Sequence, residues 1–382
     1  LEMALELRLN ESEQMLRNTA LDFLKRDAPK EVIQILQETD TGYTEELWKK
    51  VVDMGWLGII IPEEYGGIGS TLTSAGVLFE ALGIGPLPGP YFSSGILGSS
   101  IILEAGTEEQ KQSILPDVAE GRKILTLALT EPSYSWEPGG VQTTAEARNG
   151  DFILNGIKLF TMDAQAATHF IVVARTGQGN DAAQGLSLFL VDKNTEGVSV
   201  RRLPGFLADR TFEVKLDSVK IPQSAMLGGA DEPWEALKRG INKSIPVLCA
   251  YKAGACQALF DATMDYSRTR IQFGQPIGRF QRVQDLIIEM IDHMDAARWS
   301  TYECLWKLDM QRPAEESVHL AKAISSEAYW EVCTLAIKVF SGISYSREHP
   351  VSFHVKASRC LYSYLGEPSY HRQQLGRLIM AW

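Results

Sequence analysis

The chain predicts an α+β protein: a helical region first, an antiparallel β region in the middle, and helices again to the end. Three observations predict this. Apolar residues recur at helical spacing up to about residue 120 and again from about 235. Between about 123 and 229 the pattern changes to short β-like runs with Asn-Gly turns. The apolar faces of the last third are long enough for helices that pack as a bundle. Domains are therefore expected at 1–122 (helical), 123–230 (β) and 231–382 (a four-helix bundle).

Residues 10–38 read as one helix, with Leu16, Ala20, Phe23 and Leu24 on a shared face. A second helix is expected over 45–54. Gly55-Trp56-Leu57-Gly58-Ile59-Ile60-Ile61-Pro62 is an apolar run that enters a tight turn at Gly66-Gly67. Helices follow at 71–83, 92–105 and 107–120, the first two separated by Leu87-Pro88-Gly89-Pro90. Strands are expected at 143–147, 152–154 and 157–160, with Asn149-Gly150 and Asn155-Gly156 as the turns between them. Runs at 170–174, 186–191, 198–200 and 212–221 continue the β pattern. Phe212, Val214 and Leu216 alternate with Glu213 and Lys215, which suits a strand wet on one side. In the final helices Val283, Leu286, Ile287, Met290, Met294 and Ala297 form one face, and Ile324, Ala328, Val332, Leu335 and Val339 another.

Composition bounds the function. With 382 residues, 45% hydrophobic and 22% charged, the chain can bury a large core. A net charge of −11 opposes a nucleic-acid partner, although a local basic patch could still hold a nucleotide. Cys249, Cys256, Cys304, Cys333 and Cys360 are odd in number and lack C-x-x-C spacing, so they read as reduced core residues of a cytoplasmic protein. No run of 18 apolar residues suggests a membrane span, and no signal-peptide pattern precedes the first helix. The opening Leu-Glu-Met reads as an added remnant. The six histidines show no metal-ligand spacing, and no Ser-His-Asp set is indicated.

Most of the chemistry gathers in residues 267–284, Ser-Arg-Thr-Arg-Ile-Gln-Phe-Gly-Gln-Pro-Ile-Gly-Arg-Phe-Gln-Arg-Val-Gln. Gly and Pro break the helix there, placing Arg270 near one helix end and Gln281 near the next helix start. An Arg grips phosphate bidentately, and an amide can bond a heterocycle or ribose, so a nucleotide cofactor fits. A charged helix–helix turn is the plain alternative. Leu127-Ala128-Leu129-Thr130-Glu131-Pro132 is a β-like segment stopped by Pro, which can aim backbone amides and the Thr130 hydroxyl at a ligand edge, or simply end a strand.

Arg270-x-x-Phe273-Gly274 followed by Phe280-Gln281 resembles the flavin pyrophosphate segment of the acyl-CoA dehydrogenase family. Pro62-Glu63-Glu64-Tyr65-Gly66-Gly67 is similar to that family too, and the resemblance covers nearly the whole chain. It implies a β-barrel-like domain between two helical ones, FAD as cofactor, and a 267–284 segment that reaches across a subunit interface. Arg270, Gln272, Phe273 and Gln281 match this segment. Leu127, Leu129 and Thr130 match the backbone and hydroxyl contacts to the flavin ring, and Ser135 joins them. Phe160 stands where the family keeps an aromatic, usually Trp. Met162 stands where a Thr commonly bonds the flavin, and could serve only through its backbone. A second flavin segment corresponds to Lys338-Val339-Phe340-Ser341-Gly342, where many relatives have Gln first and Gly-Gly last; Lys338 and Gly342 are its candidates.

The family reaction removes an α proton from an acyl thioester while a β hydride passes to the flavin, so a base, usually a carboxylate, must stand over the α carbon. The resemblance gives two positions for it, and here they are Leu365, in Tyr364-Leu365-Gly366-Glu367, and Ser244. Neither can act as that base. Many relatives also carry Arg where Ile245 stands and Asp near Asn242. Glu367 lies two residues beyond the expected position, up to about 6 Å along a loop, and suits a cofactor contact better. Asp163, Asp285 and Glu348 are further carboxylates near motifs.

The region of Gln275-Pro276-Ile277-Gly278 and residues 365–372 resembles a branch containing subunits of bacterial heteromeric acyl-CoA dehydrogenases for steroid, alicyclic and other bulky substrates. In some of those only one subunit type carries the base. Three readings follow: an FAD-dependent acyl-CoA dehydrogenase, a base-lacking FAD-sharing subunit of a hetero-oligomer, or a flavoprotein with a changed reaction such as elimination or oxidation. Expected partners are an acyl-CoA, electron-transfer flavoprotein, and a homologous subunit in a dimer or tetramer. Small residues in Ser93-Ser94-Gly95-Ile96-Leu97-Gly98 could leave room for a bulky acyl group or serve helix packing.

Overall fold

The computed structural model describes residues 8–177, 181–205, 210–228 and 232–380. In chain order the helices are α1 (Glu11–Arg26), α2 (Lys30–Glu38), α3 (Glu45–Asp53), α4 (Leu72–Ile84), α5 (Ser99–Ala105) and α6 (Glu108–Ala119). The strands are β1 (Leu125–Ala128), β2 (Thr144–Arg148), β3 (Asp151–Met162), β4 (His169–Arg175), β5 (Leu186–Asp192), β6 (Val198–Arg202), β7 (Thr211–Pro222) and β8 (Met226–Leu227). Then come α7 (Pro233–Thr269), a hairpin of β9 (Ile271–Gln272) and β10 (Gln275–Pro276), and α8 (Gln281–Asp309), α9 (Glu315–Phe340), α10 (Pro350–Ser363) and α11 (Pro368–Met380).

Side chains set several helix starts. Asn10 and Glu13 cap α1 reciprocally, Thr107 and Gln110 do the same for α6, and Thr44 and Thr71 cap α3 and α4. The single helix expected over 10–38 is two. Pro29 has no N–H to give and disfavours helical backbone at Ala28, so the chain breaks before α2. The helix expected over 92–105 opens with a π-helical turn, Ser93–Gly98, before α5.

Asn155-Gly156 is not a turn. β3 runs through it, and the irregularity lies in β7, where one extra residue opposes the Leu154–Gly156 step. The Asn155 side chain accepts the Ser218 N–H at 2.8 Å, and Ser218 takes φ 57°, so Asn-Gly here answers a bulge. Asn149 and Gly150, both at positive φ, do form the hairpin turn between β2 and β3.

By its contacts the chain forms two compact units. One comprises residues 38–70 and 88–244. Its sheet has the order β6-β7-β3-β2-β4-β5-β8, antiparallel except that β1 lies parallel along β4 and β2 meets β4 in parallel at Thr144 and Arg175. Phe170, Val172, Phe189, Val191, Phe212, Val214 and Leu216 fill its core. Gly95 and Gly98 of the π turn face the Leu57 backbone and the Leu125 side chain, so packing accounts for their small size.

The other unit holds the described residues up to 37, 71–87, and 245 onward. Its core joins α7, α8, α9 and α10 through Leu259, Met290, Met294, Tyr329, Val332, Leu335 and Val351. α4 crosses α7 at a double glycine contact, Gly83 on the Tyr251 carbonyl and Gly254 on the Glu80 carbonyl. A Cβ at either would strike backbone. Gly254→Ala is therefore expected to cost about 1–3 kcal/mol in a urea unfolding series. Gly376→Ala, with nothing within 4 Å in α11, should instead gain about 0.5–1 kcal/mol.

Candidate active site

The first half-site lies where the end of β1 meets a bulge in β3. Lys158 pairs with Val214 and Thr161 with Phe212, so β3 carries one residue more than β7 across this step. The extra length puts Phe160 at φ 55° with its ring 46% exposed. The Leu159 N–H freed by the bulge donates to the Thr130 carbonyl at 2.8 Å, and the Thr130 hydroxyl donates to the Leu159 carbonyl. The Thr130 proton is thus spent inside the chain, leaving its lone pairs for a ligand. Thr126 similarly donates to the Met162 carbonyl at 2.7 Å, so that backbone oxygen is already engaged. Leu127, Leu129 and Met162 are buried.

A buried ion pair fixes this corner. Lys158 and Glu131, 0% and 4% exposed, meet at 2.7 Å. The same ammonium donates to the carbonyls of Val173 at 2.6 Å and Leu129 at 3.3 Å. Glu131 also accepts from the Gln142 and Thr143 amides and the Thr143 hydroxyl. Burial pushes Lys158 down to about 8. Burial works to raise Glu131, but the charge and hydrogen bonds of Lys158 and Thr143 outweigh it and hold the carboxyl below its ordinary range. Beyond Pro132 the loop brings Tyr134, at φ 51°, edge-on to Phe160 with ring centroids 5.2 Å apart. Ser135 accepts the Glu137 amide, and the buried Trp136 indole N–H has no partner.

The second half-site is at one end of the α7–α10 unit. Arg270 leaves α7 into a two-stranded hairpin whose tip, Phe273-Gly274, has positive φ at both residues. Phe273 is 92% exposed, and the Arg270 guanidinium makes no hydrogen bond or ion pair among the described residues. Gln272 is exposed, and its side-chain amide donates to the neighbouring Ile271 carbonyl. Gln281 opens α8, whose N-terminus has no side-chain cap, so its amides and dipole favour an anion. Tyr266 packs on Phe340 with ring centroids 4.6 Å apart. This brings the end of α9, with exposed Lys338 and Gly342, to the same end of the bundle as the hairpin. Around Gly342 a Cβ would meet nothing within 4 Å.

In the 362–367 turn an apolar residue, Leu365, occupies the expected position. Leu365 is 3% exposed with φ 59°, a left-handed position that costs a non-glycine residue strain. Its carbonyl sits 2.8 Å from His371 Nε2, so that nitrogen must carry a proton. His371 Nδ1 then accepts from His319 Nδ1–H at 2.9 Å, and the His371 ring is neutral. Burial first, then Lys322, pushes His371 down to about 2. Glu367 is half-buried and accepts from Ser369. In the sheet-containing unit, Ser244 is fully buried and donates its hydroxyl to the Gly240 carbonyl at 2.7 Å. Asp163 is engaged by Ser93 at 2.8 Å and by Arg210. Glu348 and Asp285 are exposed.

Three family models match the chain in order: the N-terminal, middle and C-terminal domains of acyl-CoA dehydrogenase, over residues 10–122, 126–219 and 233–380. A 3-(aryl)acrylate reductase of Clostridium sporogenes is 30% identical across 89% of this chain and 91% of its own length. The chain belongs to the acyl-CoA dehydrogenase family. The CarC subunit of the caffeyl-CoA reductase–Etf complex of Acetobacterium woodii is 27% identical over 97% of this chain and 99% of its own. The structure of butyryl-CoA dehydrogenase from Megasphaera elsdenii superposes with a TM-score of 0.90 at 25% identity, covering 98% of this chain and 100% of that one.

Acyl-CoA dehydrogenases are FAD-dependent oxidoreductases acting on CH–CH bonds. The residues here fit that cofactor. An outward-facing Phe160, lone pairs on Thr130 and an unspent Trp136 N–H suit a flat heteroaromatic ring with polar edges. A free guanidinium, the exposed Lys338 and an uncapped helix N-terminus suit a pyrophosphate. Sequence reasoning assigned no role to Glu131, Lys158, Tyr134, Trp136, His371 or Lys322. The signal for the lysine was Leu320-Ala321-Lys322-Ala323, a cation inside an apolar stretch. Among the described residues no helix is long and apolar enough to cross a membrane.

Proposed function

We propose that this chain is an FAD-holding acyl-CoA dehydrogenase polypeptide that serves α,β-desaturation of an acyl-CoA thioester within an assembly whose base comes from a homologous subunit. One observation carries this reading. Both family positions for the carboxylate are closed, by the buried Leu365 side chain and by a Ser244 hydroxyl committed to Gly240. When bound, FAD supplies the hydride acceptor. The chain's own residues orient and hold it. Leu127, Leu129, Thr130, Ser135, Phe160 and Met162 would face the ring, while Arg270, Gln272, Phe273, Gln281, Lys338, Gly342 and Glu367 would hold the dinucleotide of a neighbour. The domain division 1–122, 123–230 and 231–382 belongs to the same reading. Electron-transfer flavoprotein as acceptor is supported by the Etf complex named for CarC.

The desaturase that acts alone needs a carboxylate at one of these positions, and Glu367 is the nearest substitute in sequence. Co-purification with a homologous subunit separates the readings. Rapid desaturation by the lone chain overturns the shared assembly. Arg270→Ala is expected to weaken FAD retention about 10–100-fold. The flavin-free protein should melt nearly unchanged, because that guanidinium makes no hydrogen bond or ion pair among the described residues. Equal retention by variant and wild type would remove Arg270 from the cofactor site.

A further inference from the structure

Two lysines of the helical unit are completely enclosed, and neither bonds a carboxylate among the described residues. Lys252 on α7 and Lys322 on α9 are both 0% exposed. The Ser326 hydroxyl lies 2.8 Å from the first amine and 3.1 Å from the second. A buried ammonium has three protons to place. Lys322 places all three, on Ser326 Oγ, on the Gly366 carbonyl at 2.7 Å and on the Tyr362 carbonyl at 3.4 Å. Lys252 has, among the described residues, the Ser326 oxygen as its one oxygen acceptor and the Lys322 amine beside it; the proton of Ser326 goes to the Lys322 carbonyl at 2.8 Å.

The surroundings add no compensating charge in contact. Cys249 and Cys256, on α7, are buried thiols kept protonated by burial. His371 is neutral, its Nε2–H donating to the Leu365 carbonyl and its Nδ1 accepting from His319. Glu367 acts on Lys322 only through space. Two full charges around one hydroxyl would have no anion in contact among the described residues, with Glu367 acting only from a distance.

We propose that Lys252 and Lys322 share a single proton: Lys322 is the ammonium and positions the 362–366 turn by its carbonyls, while Lys252 is a neutral amine. Burial lowers both pKa values, in keeping with one proton for the pair, and Lys252 beside it lowers Lys322 further; it is the two carbonyl acceptors of Lys322 that place the proton there. The acceptors decide where that proton resides. The proton count stands independently of the acyl-CoA reading; only its bearing on turnover rests on that reading, because the turn carries Leu365. Lys322 is thus a positioning residue.

The test uses the full chain as purified, with no substrate needed, so its failure and that of the functional reading are separate. Thermal midpoints are measured from neutral pH to about 10.4, where an unfolded lysine titrates. A folded pKa below the unfolded value makes the wild type gain stability as pH rises through this window. Lys252→Met should therefore melt no lower than wild type at neutral pH, with an advantage that shrinks toward alkaline pH. Lys322→Met should speed amide hydrogen exchange across residues 362–371 at least tenfold, while Lys252→Met leaves it within twofold. Lys322→Gln, keeping donors without the charge, replaces the Met variant if that fails to fold, and faster exchange is expected there too. A Lys252→Met midpoint lowered equally at every pH, or unchanged turn exchange in the Lys322 variant, overturns the proposal.

Discussion

Leu365→Glu is expected to accelerate reduction of the bound flavin by an acyl-CoA about 10²–10⁴-fold in the purified chain, the usual contribution of a positioned base. The backbone is already built for the position. His371 and Lys322 hold the carbonyls of Leu365 and Gly366, so the turn does not depend on what side chain it carries. The new carboxyl would enter a place where the Leu side chain is buried. Burial raises a carboxyl pKa toward neutrality, which suits a base working near pH 7. Anaerobic mixing, followed by loss of the flavin's visible absorbance, gives the rate. A folded, yellow Leu365→Glu protein no faster than wild type would show that the missing carboxylate is not what limits the chain.

Lys158→Met should be the most damaging single change in the sheet-containing unit. It leaves Glu131 charged and nearly fully buried, and deprives the Leu129 and Val173 carbonyls of a donor. Removing one partner of a buried pair typically costs about 3–5 kcal/mol. The corner that presents Thr130 and Phe160 would loosen with it, so flavin should be lost before the chain unfolds. Glu131→Gln, which keeps an acceptor for Lys158 and Thr143, should cost less. Urea midpoints with flavin content measured on the same samples decide this. Wild-type values for Lys158→Met would mean that the pair does not hold the corner.

The two stretches of this corner are legible in the sequence as a strand stopped by Pro132 and a segment around Phe160, and the structure ties them together through Leu159 and Thr130. The hairpin between the long helices was also legible, because Gly and Pro break a helix wherever they fall together. Other features were not. Asn155-Gly156 carries the same local signal as Asn149-Gly150, and only the opposing strand shows that one is a turn and the other answers a bulge. The break at Pro29 rests on one residue, whose missing N–H and restriction of Ala28 end the helix although apolar residues continue on both sides. The burial of Lys158, Lys252 and Lys322 is not legible, because lysine is almost never enclosed unless paired, and a list of residues cannot show which carboxylate or carbonyls will surround an amine. The joining of α4 with α7 also depends on contacts between residues far apart in the chain.

The central claim is that this chain holds the flavin yet brings no base to the acyl group. Exchange of the α protons of an acyl-CoA with heavy water, followed by mass spectrometry in the presence of the flavin-loaded protein alone, tests that directly. Exchange no faster than in buffer is predicted, with rapid exchange appearing on addition of a base-bearing homologous subunit or in Leu365→Glu. Fast α-proton exchange by the unmodified chain on its own would contradict the account.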